Sequence, residues 1–293
     1  MKKGILLSGG YGTRLYPTTL AMNKHFLNIY SKPMIFYSIS ILMLANIKEI
    51  LIIALSKDIL LYKNLFGNGQ RLGIKIKYET QDFPGGIAES IKIADKFIGN
   101  DDFALMLGDN FFYSENLTKI LSAAVKKLEG AVVFAYYVKN ASEYGIIEFD
   151  KKKKVKSIKE KPKNSNSNFA ITGLYFYKNV AKKMVSKIKP SKRGELEISS
   201  LNNLFLKNNK LDVEILGRGV AWLDTGSYEG LLEASNFVYS IEKRQTLLIN
   251  CPEEIAYRKK WIDKKMLLKS ANNYKNSSYG KYLLRISKES LYY

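Results

Sequence analysis

Cysteine and histidine are each present once in 293 residues, and no long apolar run occurs. A single Cys251 excludes an internal disulfide framework and fits a reducing compartment. The one histidine, His25, lies between Lys24 and Phe26 and is expected at the surface or half-buried rather than as a general base. The longest apolar stretch, Ile35 to Ala45, is interrupted by Ser38 and Ser40 and is too short to span a bilayer. Gly4 to Leu7 ends in glycines, so the charged Met-Lys-Lys start does not open a signal-peptide core. These features lead to the expectation of a soluble cytoplasmic protein with no membrane partner.

Acidic residues are also scarce: 27 against 47 basic ones, a formal charge of +20. Nucleic acid is the first partner such a charge suggests, but the excess is lysine spread along the chain, without arginine clusters interleaved with aromatics. The densest run, Lys151 to Lys154, separates two strand-like segments and reads as a solvated hairpin tip. No nucleic-acid partner is expected.

Strand and helix signals alternate through the first half. Lys3 to Leu7, Ile50 to Ala54, Ile74 to Tyr78 and Phe103 to Leu107 read as strands, and Met34 to Ala45 and Gly86 to Phe97 as helices. That alternation predicts an α/β fold, a Rossmann-like mixed, mostly parallel sheet flanked by helices. Residues 131–177 change to strands with tight turns, a β-rich lobe on the same sheet. From Tyr228 onward helical spacing prevails, with Leu231, Leu232, Ala234, Ser235 and Val238 in register and Pro252 suited to a first turn. The division expected is an α/β core over 1–235, with halves at about 1–115 and 116–235, and a helical region over 236–293.

Ligands of such sheets sit beyond the carboxyl ends of the strands. Directly after the first strand comes Gly9-Gly10-Tyr11-Gly12-Thr13-Arg14-Leu15-Tyr16-Pro17, whose glycines let backbone N–H groups approach a phosphate while Arg14 adds a permanent fork of donors. It is not a P-loop, because Lys followed by Ser or Thr is missing, and Leu15 stands where a dinucleotide fingerprint needs its third glycine. Ser8 has no nearby histidine or glycine elbow to make it a nucleophile. Asp109, in Leu107-Gly108-Asp109-Asn110, and Asp224, in Trp222-Leu223-Asp224-Thr225-Gly226, each follow an apolar strand and suit a hard cation. Either could equally be a turn former or helix cap, and only convergence in space would let them share a metal. Lys24, Lys161 and Arg193 are the cations best placed to meet phosphate.

With Glu160-Lys161-Pro162 and Ser191 to Ile198 added, these motifs occur in an order that resembles the sugar-phosphate nucleotidyltransferases over nearly the whole chain, and within them the thymidylyl branch. The resemblance implies an Mg²⁺-dependent transfer from dTTP to glucose 1-phosphate, with a uridylyl enzyme using UTP as the alternative within the class. A non-catalytic nucleotide- or nucleic-acid-binding protein of the same fold is the alternative outside it. It further implies that Leu7, Gly9, Gly10, Gly12, Thr13, Arg14, Gln81, Gly86 and Asp109 bind the nucleotide, Gln81 and Gly86 at the thymine edge. Asn110, Tyr144, Gly145, Glu160, Lys161, Thr172 and Arg193 would bind the sugar phosphate, Asp109 and Asp224 the metal, and Arg14, Lys24, Asp109 and Asp224 would carry the chemistry. Family members are homotetramers with a second nucleotide site for feedback by dTDP-glucose or dTDP-rhamnose, to which Tyr113, Gly219, Glu254 and Arg258 correspond. The chain departs from the family's usual residues at Ser8, His25, Asn28, Glu89 and Ser114-Glu115.

Overall fold

Successive residues of the first strand, Ile5, Leu6 and Leu7, are all buried yet belong alternately to two apolar clusters, because side chains of a strand leave opposite faces of its sheet. Leu51 and Ile53 repeat the pattern against Ile50 and Ile52, and Phe103 and Leu105 against Ala104 and Met106. Such strands are apolar on both faces and belong in the middle of a covered sheet.

The computed structural model describes residues 1–83, 85–152 and 154–289. Pro84 of the Gln81 to Gly86 segment, Lys153 of the lysine run and residues 290–293 lie outside the described residues. Strands β1 (Lys3–Ser8), β2 (Asn28–Ile29), β3 (Lys32–Pro33), β4 (Glu49–Ala54), β5 (Lys75–Thr80) and β6 (Phe103–Leu107) come from the first half. There follow β7 (Asn110–Tyr113), β8 (Ala131–Tyr137), β9 (Gly145–Phe149), β10 (Val155–Glu160), β11 (Phe169–Tyr177), β12 (Leu211–Ile215) and β13 (Ala221–Asp224). The main sheet runs β10-β9-β11-β6-β1-β4-β5, with β8 and β12 added beside β11. Pairs among β5, β4, β1 and β6 are parallel, while β11 joins β6, β8 and β9 antiparallel. The fold is therefore the mixed α/β sheet that the alternation predicts. The chain winds from β1 to β4 and β5, then crosses back to place β6 on the other side of β1, so β1 and β6 flank a topological switch point.

Two expected elements differ in detail. The segment read as one helix over Gly86 to Phe97 is two short helices, Glu89–Ile93 and Asp95–Ile98. Its start is fixed instead by backbone bonds to Leu196: Gly86 has φ +92° and approaches the Leu196 carbonyl so closely that a Cβ there would lie 2.5 Å from the oxygen. Leu232, read as one of the helix's spaced apolar residues, is 62% exposed. The lysine tip forms as expected between β9 and β10, with Asp150 Oδ1 accepting from the amides of Lys152 and Lys154.

The helix Tyr228–Gln245 runs through position 235, the expected end of the core, and the later helices contribute Ala256, Leu267 and Leu283 to the main core. A buried ion pair ties this helix to the β2-β3 ribbon: Lys32 Nζ lies 3.2 Å from Glu242 Oε1, which also accepts from the Ile249 amide. Removing one partner leaves an uncompensated buried charge. Glu242→Ala is expected to lower unfolding free energy by about 3–5 kcal/mol, read by urea denaturation; an unchanged midpoint would show that the pair contributes nothing. Among the described residues no helix is long and apolar enough to cross a membrane.

Candidate active site

The loop leaving β1 turns through Gly10 (φ +88°) and Gly12 (φ +65°), conformations that L side chains rarely adopt. Gly12 O accepts from the Leu15 amide at 2.8 Å and from Thr19 Oγ1 at 2.8 Å, which sets the short 3-10 turn Thr13–Leu15. Arg14 leaves this turn exposed and, among the described residues, makes no hydrogen bond or ion pair. Its guanidinium lies against Gly226: a Cβ on that glycine would be 2.6 Å from Nη2. The glycine turn after β1 and the Asp-Thr-Gly turn after β13 thus meet.

Asp109 enters at the end of β6. Its carboxylate accepts from Lys24 Nζ at 2.5 Å and from Asn110 Nδ2 at 3.1 Å. Its backbone is pinned as well, since Asp109 O accepts from the Thr225 amide and hydroxyl at 3.0 and 2.7 Å, and Ser38 Oγ donates to Gly108 O at 2.7 Å. Register pairing of Asp224 with Asn110 across β13 and β7 brings the second aspartate to the same place, where Gly226 N donates to its Oδ1 at 2.9 Å. Burial pushes the Asp109 carboxyl up, but Lys24 and its other partners outweigh that and hold it below the usual carboxylate range. Burial, then the neighbouring Asp109 charge, raises Asp224. Two carboxylates that oppose each other's ionisation in a cleft form a donor set that a hard cation relieves. Among the described residues no cluster of three or more acidic, histidine or cysteine ligands exists, so a cation here would rely on this pair plus phosphate and water.

Two cavities with a shared border lie beside these residues. One is lined by Leu7, Gly9, Gly10, Tyr11, Gln81 and Gly86. The other is lined by Arg14, Asp109, Asn110, Tyr144, Gly145, Glu160, Lys161, Thr172, Arg193 and Asp224, and Ile87 and Glu195 border both. Thr172 lines the second cavity, and its buried Oγ1 has no hydrogen-bond partner among the described residues, an acceptor and donor left for a ligand hydroxyl. Burial raises the Glu160 carboxyl and pushes the Tyr144 phenol up to about 12.

The nucleotidyl transferase family model matches residues 3–241, most of the chain. The chain belongs to the nucleotidyl transferase family. A glucose-1-phosphate thymidylyltransferase of Neisseria meningitidis is 48% identical over 98% of this chain and 100% of its own length. One from Mycobacterium tuberculosis is 44% identical over 97% and 98%. Among solved structures, a Bacillus anthracis protein assigned as a glucose-1-phosphate thymidylyltransferase, in complex with sucrose, superposes with TM-score 0.75 at 34% identity, covering 81% of this chain and 95% of that one. A UDP-glucose pyrophosphorylase with bound UDP-glucose gives 0.72 at 26% identity, covering 82% and 99%. Nucleotidyl transferases of this family generally use a divalent metal.

Several residues hold positions in this nucleotidyl transferase that sequence spacing does not reveal. Asn110 is buried and committed to the protein: its Oδ1 accepts from Gly173 N at 2.8 Å and from Trp222 Nε1 at 2.7 Å. Arg193 is not free; Nη2 lies 2.9 Å from Glu197, 3.5 Å from Glu195 and 3.8 Å from Glu160. Glu197, which Ser191 Oγ also contacts, orients that guanidinium and is signalled only by the Ser191 to Ile198 run. The four residues matched to a second site fall into two pairs. Tyr113 pairs in register with Ala221, two residues beyond exposed Gly219, and Glu254 is held by Arg258 and Tyr282.

His25 corrects the expectation of a surface position. It is fully buried beneath Gly108, with Nδ1 2.7 Å from Asn23 Oδ1 and 3.1 Å from the Tyr62 hydroxyl. Asn23 and Tyr62 meet the ring nitrogen and Gly108 leaves room for the ring, so the imidazole is accommodated without water despite the neighbouring lysine. Burial, then the Lys24 charge, lowers its pKa from 6.5 to about 3. Between those values the unfolded chain binds one more proton than the fold. Stability supplied by the neutral ring is therefore present above 6.5 and lost as pH falls, by about 1.4 kcal/mol per pH unit. Urea midpoints of His25→Gln should fall less steeply than those of the wild type below pH 6.5; parallel slopes would contradict the buried neutral state.

Proposed function

We propose that this chain is a glucose-1-phosphate thymidylyltransferase, transferring the thymidylyl group from dTTP to glucose 1-phosphate with release of pyrophosphate. The observation that carries the reading is the adjoining pair of cavities at the β1/β6 switch point, with Arg14, Asp109 and Asp224 lining the second and Lys24 ion-paired to Asp109. The full-length relatives of that name support the same substrates.

A phosphate oxygen of glucose 1-phosphate attacks the α-phosphorus in line, and the bond to the pyrophosphate oxygen breaks. The nucleophile is already an anion, so no general base is needed and His25 stays neutral. The task is to hold two anions together in the right geometry. Backbone N–H groups of the Gly9 to Thr13 turn, together with Leu7, Gln81 and Gly86, hold dTTP. Tyr144, Gly145, Glu160 and Thr172 hold the sugar, while Lys161 and Arg193 meet its phosphate. Arg14 and Lys24 neutralise the triphosphate and the departing pyrophosphate. Asp109 and Asp224 would hold Mg²⁺, which when bound offsets charge on the reacting phosphates.

Mixing dTTP, Mg²⁺ and glucose 1-phosphate should release pyrophosphate and dTDP-glucose in equal amounts; absence of both overturns the reading. The likeness to a UDP-glucose pyrophosphorylase favours UTP as the second reading. One methyl separates the two bases, worth about 1–3 kcal/mol in an apolar pocket, and the ratio of kcat/KM for dTTP over UTP decides between them. A cytoplasmic homotetramer, with a feedback site at Tyr113, Gly219, Glu254 and Arg258 for dTDP-sugars, completes the proposal. The division into a core over 1–235 and a regulatory helical region over 236–293 belongs to it.

A further inference from the structure

Gln81 is 9% exposed at the floor of the nucleotide cavity, and its side-chain amide has only one chemically consistent orientation. Nε2 lies 2.6 Å from Glu89 Oε2 and 3.2 Å from Gly86 O. Both partners are acceptors: a carboxylate and a backbone carbonyl have no proton to give. Turning the amide over would set its oxygen against two other oxygens and lose both hydrogen bonds. Amide orientation is ordinarily ambiguous, and here the carboxylate removes the ambiguity. Gly85 provides the room, because a Cβ on it would stand 1.8 Å from Glu89 Oε2.

Both amide hydrogens are thereby consumed, and Oε1 is the atom left over. It faces the glycine turn, 3.6 Å from where a Cβ on Gly9 would stand, and has no hydrogen-bond partner among the described residues. We infer that Glu89 is a positioning residue that presents Gln81 to the nucleotide as an acceptor only, selecting pyrimidines that carry a proton on ring N3. Thymine and uracil offer that N–H; cytosine offers a lone pair at the same atom and is repelled. A glutamine at position 89 would impose no such orientation, since its amide can donate or accept. The inference rests on the reading of this cavity as the base site, and it concerns selection between bases, not the reaction.

The test compares kcat/KM for dTTP and dCTP, with glucose 1-phosphate and Mg²⁺ held constant, in the wild type, Glu89→Gln and Glu89→Lys. Glu89→Gln is isosteric and removes the carboxylate, leaving only the 3.2 Å bond to Gly86 O to favour the present orientation; Glu89→Lys can only donate and favours the reversed amide. The dTTP to dCTP ratio should fall more than threefold in Glu89→Gln and further in Glu89→Lys. A ratio within threefold of the wild-type value in Glu89→Gln overturns the inference, whether or not the lysine variant folds. If the wild type turns over neither nucleotide, the functional reading fails instead. The same ratio, taken from dissociation constants for dTTP and dCTP in the wild type and Glu89→Gln, then judges Glu89 by the same threshold.

Discussion

Arg14→Ala should lower kcat by about 10³-fold or more, the scale of a correctly placed arginine in phosphoryl transfer, while KM for glucose 1-phosphate stays within a few-fold of wild type. The guanidinium is exposed, Arg14 lines the second cavity and, among the described residues, it is tied to no carboxylate, so its charge is available to a substrate. It extends from the turn after β1 toward the Asp224 to Gly226 turn at the end of β13, so it stands beside the glycine turn expected to hold the triphosphate. Charge on the leaving pyrophosphate grows only as the bond breaks, and an interaction that strengthens then acts on kcat. Steady-state kinetics separate the cases: a rise in KM with kcat preserved would make Arg14 a ground-state binding residue.

Asp224→Asn should reduce turnover by about 10²–10³-fold, the scale for removing one preorganised electrostatic group, and should weaken Mg²⁺ binding measured by calorimetry. The amide keeps an oxygen for the Gly226 N–H and removes only the charge. A second readout separates this role from a structural one. The folded-state pKa of Asp224 is raised, by burial and then by Asp109, so its ionised form opposes folding at neutral pH. Removing that charge should leave Tm unchanged or higher while activity is lost. A lower Tm with unaltered metal dependence would mean that Asp224 only shapes the turn.

Apolar runs such as Ile50 to Ala54 signal strands buried on both faces, and the parallel pairing of β1 with β6 puts the two site loops at the same carboxyl end of the sheet. The glycine turn, Asp109 and Asp224 are legible for the same reason: each directly follows a strand. What the sequence leaves hidden is pairing between distant segments. Nothing in the spacing of Asn110, Gly173 and Trp222 says that one amide joins three strands, or that Glu197 rather than solvent faces Arg193. The burial of His25 is hidden because its neighbours in sequence are polar or mixed, whereas Tyr62, Asn23 and Gly108 decide it. Likewise the late start of the helix read over Gly86 to Phe97 comes from Leu196, about a hundred residues away in the chain.

The central claim is a direct displacement between two anions held in adjoining cavities, with no covalent enzyme intermediate. The stereochemical course at the α-phosphorus tests it, using a single diastereomer of the α-thio analogue of dTTP with glucose 1-phosphate and Mg²⁺. One in-line displacement inverts the configuration, and inversion in the dTDP-glucose product is the predicted result. Retention, which two successive displacements through an enzyme-bound nucleotidyl group would give, would contradict the account.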